Sequence, residues 1–392
     1  MPPPATDPVP SSGFALWNLG FRPFYLLASI FSVFSVLLWA AQFSGLAPAI
    51  YLSDPVWHGH EMLFGYTLAI IAGFLLTAVQ NWTGQPTPSG TPLMALAAAW
   101  VAGRVLVLTP FALTSALVNA AFPIAVGVAI AIPLRRARNT RNYFFVALLV
   151  VMGALNFAMH MAMLGRFSLS PHVGLQLELD LVLLIMVLMG GRVIPMFTNN
   201  GIPGTNATRH ALVEKAAQGS VLLLFAADLW QLPQHLSAVI ALTACVAHAW
   251  RLYLWKPWRT LAMPLVWILH AAYAWIVVYL LLRGLTSLDL LAGSYAVHAL
   301  TVGAIGGMTL GMMTRTARGH TGRLLVADGF ERAMFLSIQV AAVVRVFGGI
   351  ASPGLYIVSM QLSAAIWAVA FGLYALRYWP VLTRPRLDGK PG

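Results

Sequence analysis

The stretch WHGHEMLFGYTLAIIAGFLLTAVQNWTG, residues 57–84, decides the class of fold. Past Glu61 it holds no charged residue to its end. A helix rises 1.5 Å per residue, so its apolar part, 57–78, is long enough to cross a hydrocarbon layer of roughly 30 Å. Runs of the same kind, separated by Pro, Gly and Arg, cover 24–43, 93–108, 113–134, 143–164, 175–194, 213–230, 236–254, 261–282, 293–313, 333–350 and 355–378. The pattern predicts an all-α fold, a polytopic membrane helix bundle of about 12 transmembrane helices. Residues 22–380 form a single transmembrane domain in this reading, between a mobile N-terminal tail, 1–21, and a C-terminal cytoplasmic tail, 381–392.

Composition agrees with a lipid-solvated chain. Of 392 residues, 59% are hydrophobic and only 9% charged, where a soluble domain carries roughly a quarter charged. A net charge of +12 would suggest nucleic acid if it formed a basic face on a globular core. Here the Lys and Arg residues cluster between apolar runs, so the balance reports topology and no nucleic-acid partner is expected. If the N-terminus is inside, alternate connections should be basic, and nineteen of the 23 Lys and Arg residues fall on that side. The four that do not are Arg104, Arg166, Arg283 and Arg345. The asymmetry predicts N-in and C-in orientation and contact with membrane lipids. Residues 1–21 lack the charged start and apolar centre of a cleavable signal, so the first span is expected to direct insertion. A single cysteine, Cys245, excludes a disulfide framework or a cysteine-based zinc or iron–sulfur site within the chain.

Polar residues within or at the ends of spans are the candidates for function, because charge is costly in lipid. In DPVWHGHEMLFG, residues 54–65, His58 and Glu61 share a face of a regular helix, while His60 points about 200° away from His58. The two histidines could ligate one metal only if the turn is irregular, serve two sites, or anchor the helix end beside Trp57. His298 opens the tenth run, followed by Gly303, Gly306, Gly307 and Gly311. Small residues at that spacing admit either a partner helix or a flat cofactor such as haem. His270 lies within the ninth run, and His160, with Asn156, Met159, Met161 and Met163 around it, ends the fifth. Imidazole and thioether suit copper, although Met in apolar helices is more often filler. Glu61, Glu178, Asp180 and Asp228 occupy the same half as His58, His60, His160, His172 and His298, where they could hold a metal or relay protons. GGRVIPMFTNNGIPG, 190–204, reads as a helix broken by its prolines and asparagines into a structured inner loop. Arg192 there could pair with a haem propionate or an acidic lipid headgroup.

Taken in order, residues 57–84, 190–204 and HALTVGAIGGMTLGMMTRTARGHTGR, 298–323, resemble the NnrS family of membrane proteins linked to the bacterial nitric oxide response. The resemblance spans nearly the whole chain. It implies a protein of the bacterial inner membrane with bound haem and copper and a protective role against nitrosative stress.

The expected ligands, inferred from spacing and depth, are His58, His60, His298, His270 and Arg192 for a haem b cofactor. His58, His60, His160, His172 and His298 are the expected metal set, and Glu61 is expected to orient an imidazole or carry protons in catalysis. Three functions follow. One is a haem-dependent oxidoreductase reducing nitric oxide, with electrons from quinol or another donor, since no C-x-x-C-H haem motif occurs. Twelve helices with histidines on the second and tenth spans also match the low-spin haem positions of haem-copper oxidases by analogy, though the adjacent histidine pair and the tenth-span histidine pair of those enzymes have no counterpart here. Another is non-catalytic binding or sensing of NO, haem or copper. The third is a metal or haem transporter, disfavoured because no inverted repeat is evident.

Overall fold

The structure, a computed structural model, describes residues 13–46, 54–168 and 170–390. Twelve helical rods follow one another: α1 Phe21–Phe43, α2 Pro55–Thr83, α3 Thr91–Leu106, α4 Ala112–Arg136, α5 Phe144–Met163 and α6 Pro171–Gly201, then α7 Ala211–Leu229, α8 Gln234–Leu254, α9 Pro264–Thr286, α10 Gly293–His320, α11 Gly329–Ala351 and α12 Tyr356–Thr383. No strand occurs among the described residues, so the all-α expectation holds. Each predicted run meets one rod, but among the described residues ten rods are long and apolar enough to cross a membrane. The α3 rod has 16 residues, and α7 carries Glu214, Lys215 and Asp228 within its 19.

Short connections make successive rods antiparallel neighbours, with α11 against α12, α4 against α5 and α8 against α9, while α12 returns to pack on α1. The most enclosed rod is α2, 89% buried over its apolar window, against 28% for α8. A rod apolar on every side is buried in protein or in lipid, and α2 is the first case. Residues 1–12 of the expected tail lie outside the described residues. Within the rest of it, Ala15 and Leu19 are buried and the Ala15 amide donates to the Thr383 carbonyl at 2.8 Å. At the other end of the chain, Arg386 donates to the His320 carbonyl at 2.9 Å.

One local expectation is corrected. The α6 helix does not break at Pro195 but continues to Gly201. A proline removes one helical hydrogen bond and crowds the carbonyl four residues earlier. That residue is Gly191, whose missing side chain leaves the space the Arg251 guanidinium occupies. The turn that follows is structured as expected. Asn199 Nδ2 donates to the Ala207 carbonyl at 3.0 Å, and its Oδ1 accepts from the Ala207 amide at 2.7 Å.

Inside the bundle, Arg251 of α8 is bonded on every side. It donates from Nε to Glu214 Oε1 at 2.9 Å, from a terminal nitrogen to Glu214 Oε2 at 2.5 Å, and to the Val187 carbonyl and the Tyr273 hydroxyl at 2.9 Å each. At the basic end, Asp328 caps α11: its carboxylate accepts from the Phe330 amide at 2.8 Å while Glu331 accepts from the Asp328 amide at 2.9 Å. This reciprocal capping makes Asp328→Ala destabilising by about 1 kcal/mol, measurable by thermal unfolding in detergent, with Asp328→Asn retaining most of it. The Glu331 side chain first, then the Phe330 amide and Arg377, hold the Asp328 carboxyl below its usual range. A depressed carboxyl contributes above its unfolded pKa of about 4 and loses that contribution as pH falls through the folded value. The wild-type advantage should therefore persist at pH 7 and fade in acid.

Candidate functional site

The two rods that carry WHGHE and HALTVG share a departure from regular helix. In α2, residues Glu61–Thr67 wind as π-helix directly after His60, and in α10 Ala299–Gly306 do so directly after His298. Such wider turns leave carbonyls off the normal ladder and recur at functional sites. Here the neighbours take them up: Trp100 Nε1 donates to the Gly65 carbonyl at 3.0 Å and Thr67 to Met62 at 2.7 Å. The two rods touch where Tyr66 and Thr309 share a 2.5 Å hydrogen bond.

His58 and His60 serve two different places. His58, His172 and His298 line a cavity of about 470 Å³ between α1, α2, α6, α10, α11 and α12, within the size range of cofactor sites. Trp39 stacks on His58, ring centroids 5.0 Å apart and planes at 11°. His58 Nδ1 is buried without a partner among the described residues. His298 Nδ1 donates to the Ser294 carbonyl at 2.6 Å, which leaves Nε2 as its free lone-pair nitrogen. Arg345 also lines this cavity. One of its terminal nitrogens donates to Tyr356 at 3.2 Å and the other is buried unbonded, with no carboxylate within ion-pair distance among the described residues.

His60 turns the other way, into a buried network spanning α2 to α5. Its Nδ1 bonds Glu61 Oε1 at 2.6 Å, and the same oxygen accepts from Arg104 at 2.8 Å. Arg104 also bonds Asn119. With the proton assigned to Nδ1 by the Glu61 carboxylate, His60 Nε2 is an acceptor. It faces His160 Nε2 at 3.2 Å and Asn156 Nδ2 at 3.4 Å. Glu61 therefore holds His60, its chain neighbour, rather than sharing a face with His58 as a regular helix implies.

The remaining candidates lie elsewhere. His270 bonds Thr198 at 2.8 Å, one turn and more into α9 from the basic end. Arg192 donates to Asn142 at 2.9 Å and stands over Phe144, apart from the cavity lining. Among the described residues, no group of three or more His, Cys, Asp and Glu gathers as a metal cage. The α10 glycines pack helices: a side-chain carbon would meet Trp275 at Gly303, Trp367 at Gly306, Ala272 at Gly307 and Ile268 at Gly311.

Arg104 and Arg345 were missed as site residues, yet both stood out in the sequence as arginines off the basic side. A second polar cluster closes the same end: Arg283 donates to Asp180 Oδ1 at 3.0 Å, to Asp228 Oδ2 at 2.5 Å and to Tyr279 at 2.7 Å. Glu178 is wholly buried with neither carboxyl oxygen bonded among the described residues.

No curated protein matches the chain. The family model described as NnrS protein matches residues 15–386, from the buried Ala15 through all twelve rods and both histidine clusters, and the chain belongs to the NnrS family.

Proposed function

We propose that the cavity is a haem b site and that the protein protects a bacterial inner membrane against nitric oxide by reducing it there. The observation that carries this reading is that His58, His298 and Arg345, whose guanidinium meets no carboxylate among the described residues, line one cavity. The residues fit the group. Both imidazoles retain ligating capacity, Trp39 and Trp367 offer flat apolar surface, and Arg345 suits a propionate. Bound there, haem would supply an iron that binds NO and exchanges electrons. The chain's own part is to orient the two imidazoles, neutralise a propionate at Arg345 and exclude water with apolar walls. Nitric oxide is small and uncharged, so it can reach the site through lipid. Reduction of two NO to N2O and water takes two electrons, from quinol or another membrane donor, and two protons.

His60 and His160 are the proposed copper ligands, with Asn156 beside them. Their Nε2 atoms share one proton across 3.2 Å, and a metal would replace that proton. Glu61 on His60 Nδ1 supplies the carboxylate that raises ligand basicity and fixes the ring. The orientation that goes with this reading has both termini cytoplasmic, with α3 and α7 completing twelve spans; the antiparallel rods and the basic connections support it.

A pyridine haemochrome assay and metal count on purified protein test the proposal. At least one haem per chain is expected, with copper lost and haem retained in His160→Ala. N2O should form when quinol and NO are supplied. Haem without N2O under reducing conditions would replace turnover by NO binding or sensing, and absence of haem would end the reading altogether.

A further inference from the structure

Arg283 is the centre of a cluster whose charges do not cancel. Its guanidinium, 11% exposed, meets Asp180, wholly buried, at 3.0 Å and Asp228, 18% exposed, at 2.5 Å. Two carboxylates on one guanidinium leave an excess negative charge in a poorly solvated place, which is costly unless a proton or another cation joins it. The two carboxyls are also close enough to interact directly. Asp180 Oδ2 is buried with no hydrogen-bond partner among the described residues, so the cluster keeps an unused site for a proton.

Position gives that proton a route. Asp228 is in the last turn of α7, at the end of the bundle opposite the basic connections. Asp180 is two turns into α6, and Gln176, one turn before it, donates to Asp180 Oδ1 at 3.2 Å and to Tyr279 at 3.4 Å. Gln176 is itself part of the wall of the cavity that holds His58 and His298. The polar chain thus runs from a partly exposed carboxyl to the cavity wall, through an otherwise apolar bundle.

We propose that Asp180 and Asp228, joined by Arg283, hold one shared proton and pass it from the outer end of the bundle to the cavity at Gln176. The proton enters at Asp228, moves from carboxyl to carboxyl and leaves Asp180 beside Gln176. Loaded, the three groups sum to zero charge; unloaded, they carry one negative charge, which draws in the next proton. Groups facing Asp180 are Arg283 and Tyr279 from α9, Asp228 from α7, and Gln176 on its own helix, while Glu178, two residues away, points to the other side of that helix. Delivery of protons to a reaction rests on the reading of the cavity as a site of NO reduction; the shared proton does not.

The test uses full-length protein in which Glu178→Gln removes the isolated buried acid from the infrared spectrum. A protonated-carboxyl C=O band that shifts in D2O is expected, and it should vanish in both Asp180→Asn and Asp228→Asn, since either change leaves a single carboxylate paired with Arg283. A band that survives in both variants, or that is absent before either substitution, overturns the proposal. In haem-loaded protein, proton uptake on reduction, followed with a pH-indicator dye, should slow at least tenfold in Asp228→Asn at unchanged haem content. Uptake at the wild-type rate in that variant would overturn the delivery route. Lack of haem in the unsubstituted protein would remove the haem reading while the infrared comparison still decides the shared proton.

Discussion

Glu214→Ala is expected to destabilise the bundle by about 3–5 kcal/mol, the cost of leaving a buried charge without its partner. The side chain of Arg251 is 1% exposed and that of Glu214 10%, so water cannot replace the missing carboxylate. The Val187 carbonyl and Tyr273 hydroxyl would still accept from the guanidinium, but neither neutralises it. The guanidinium fills the space that the missing side chain of Gly191 leaves, inside the bundle and away from the surface. Unfolding by denaturing detergent, read by circular dichroism, measures the loss. Replacing both partners by leucine should recover most of it, because paired apolar substitution is often neutral where breaking the pair is not. A single variant within 1 kcal/mol of wild type, an outcome far below the expected range, would mean that the charge is solvated after all.

The second large effect is chemical rather than structural. His298→Ala should remove at least one haem equivalent from the purified protein while leaving the helical content intact. His298 is half-buried on the cavity wall, its Nδ1 bonds the Ser294 carbonyl of its own helix, and the imidazole makes no other hydrogen bond among the described residues. His270→Ala is the matched control: its ring bonds Thr198 near the basic end of α9, away from the cavity lining, and haem content should not change. Unchanged haem in His298→Ala would remove that residue from the ligand set.

The rods were legible because twenty-residue apolar runs have few alternatives in lipid. Two kinds of detail were not. Pro195 looked like a break, and its accommodation depends on Gly191 and on Arg251, which is 60 residues further along the chain. The separation of His58 and His60 into two places was one of three readings that their angular separation left open, and the partner of Glu61 was not legible, because the π-helical winding after His60 has no simple sequence signal. The charge asymmetry held more information in its exceptions than in its rule. Of the four arginines off the basic side, Arg104 holds Glu61, Arg283 joins Asp180 to Asp228, and Arg345 lines the cavity. A cation retained where topology disfavours it is a cation with a local task.

The π-helical stretches in α2 and α10 also bear on how such a protein can diverge. A wide turn accommodates one residue more than a regular one, and adding or losing a residue in an α-helix rotates everything on one side of it by about 100°. Each of these rods is therefore two half-helices whose facings are set separately: a half toward the basic end locked by packing, as at Gly306 against Trp367 and Gly311 against Ile268, and a half bearing the histidines. Gain or loss of a single codon within Glu61–Thr67 or Ala299–Gly306 would re-aim the imidazoles without disturbing the half toward the basic end, giving descendants of this fold an inexpensive route to new coordination.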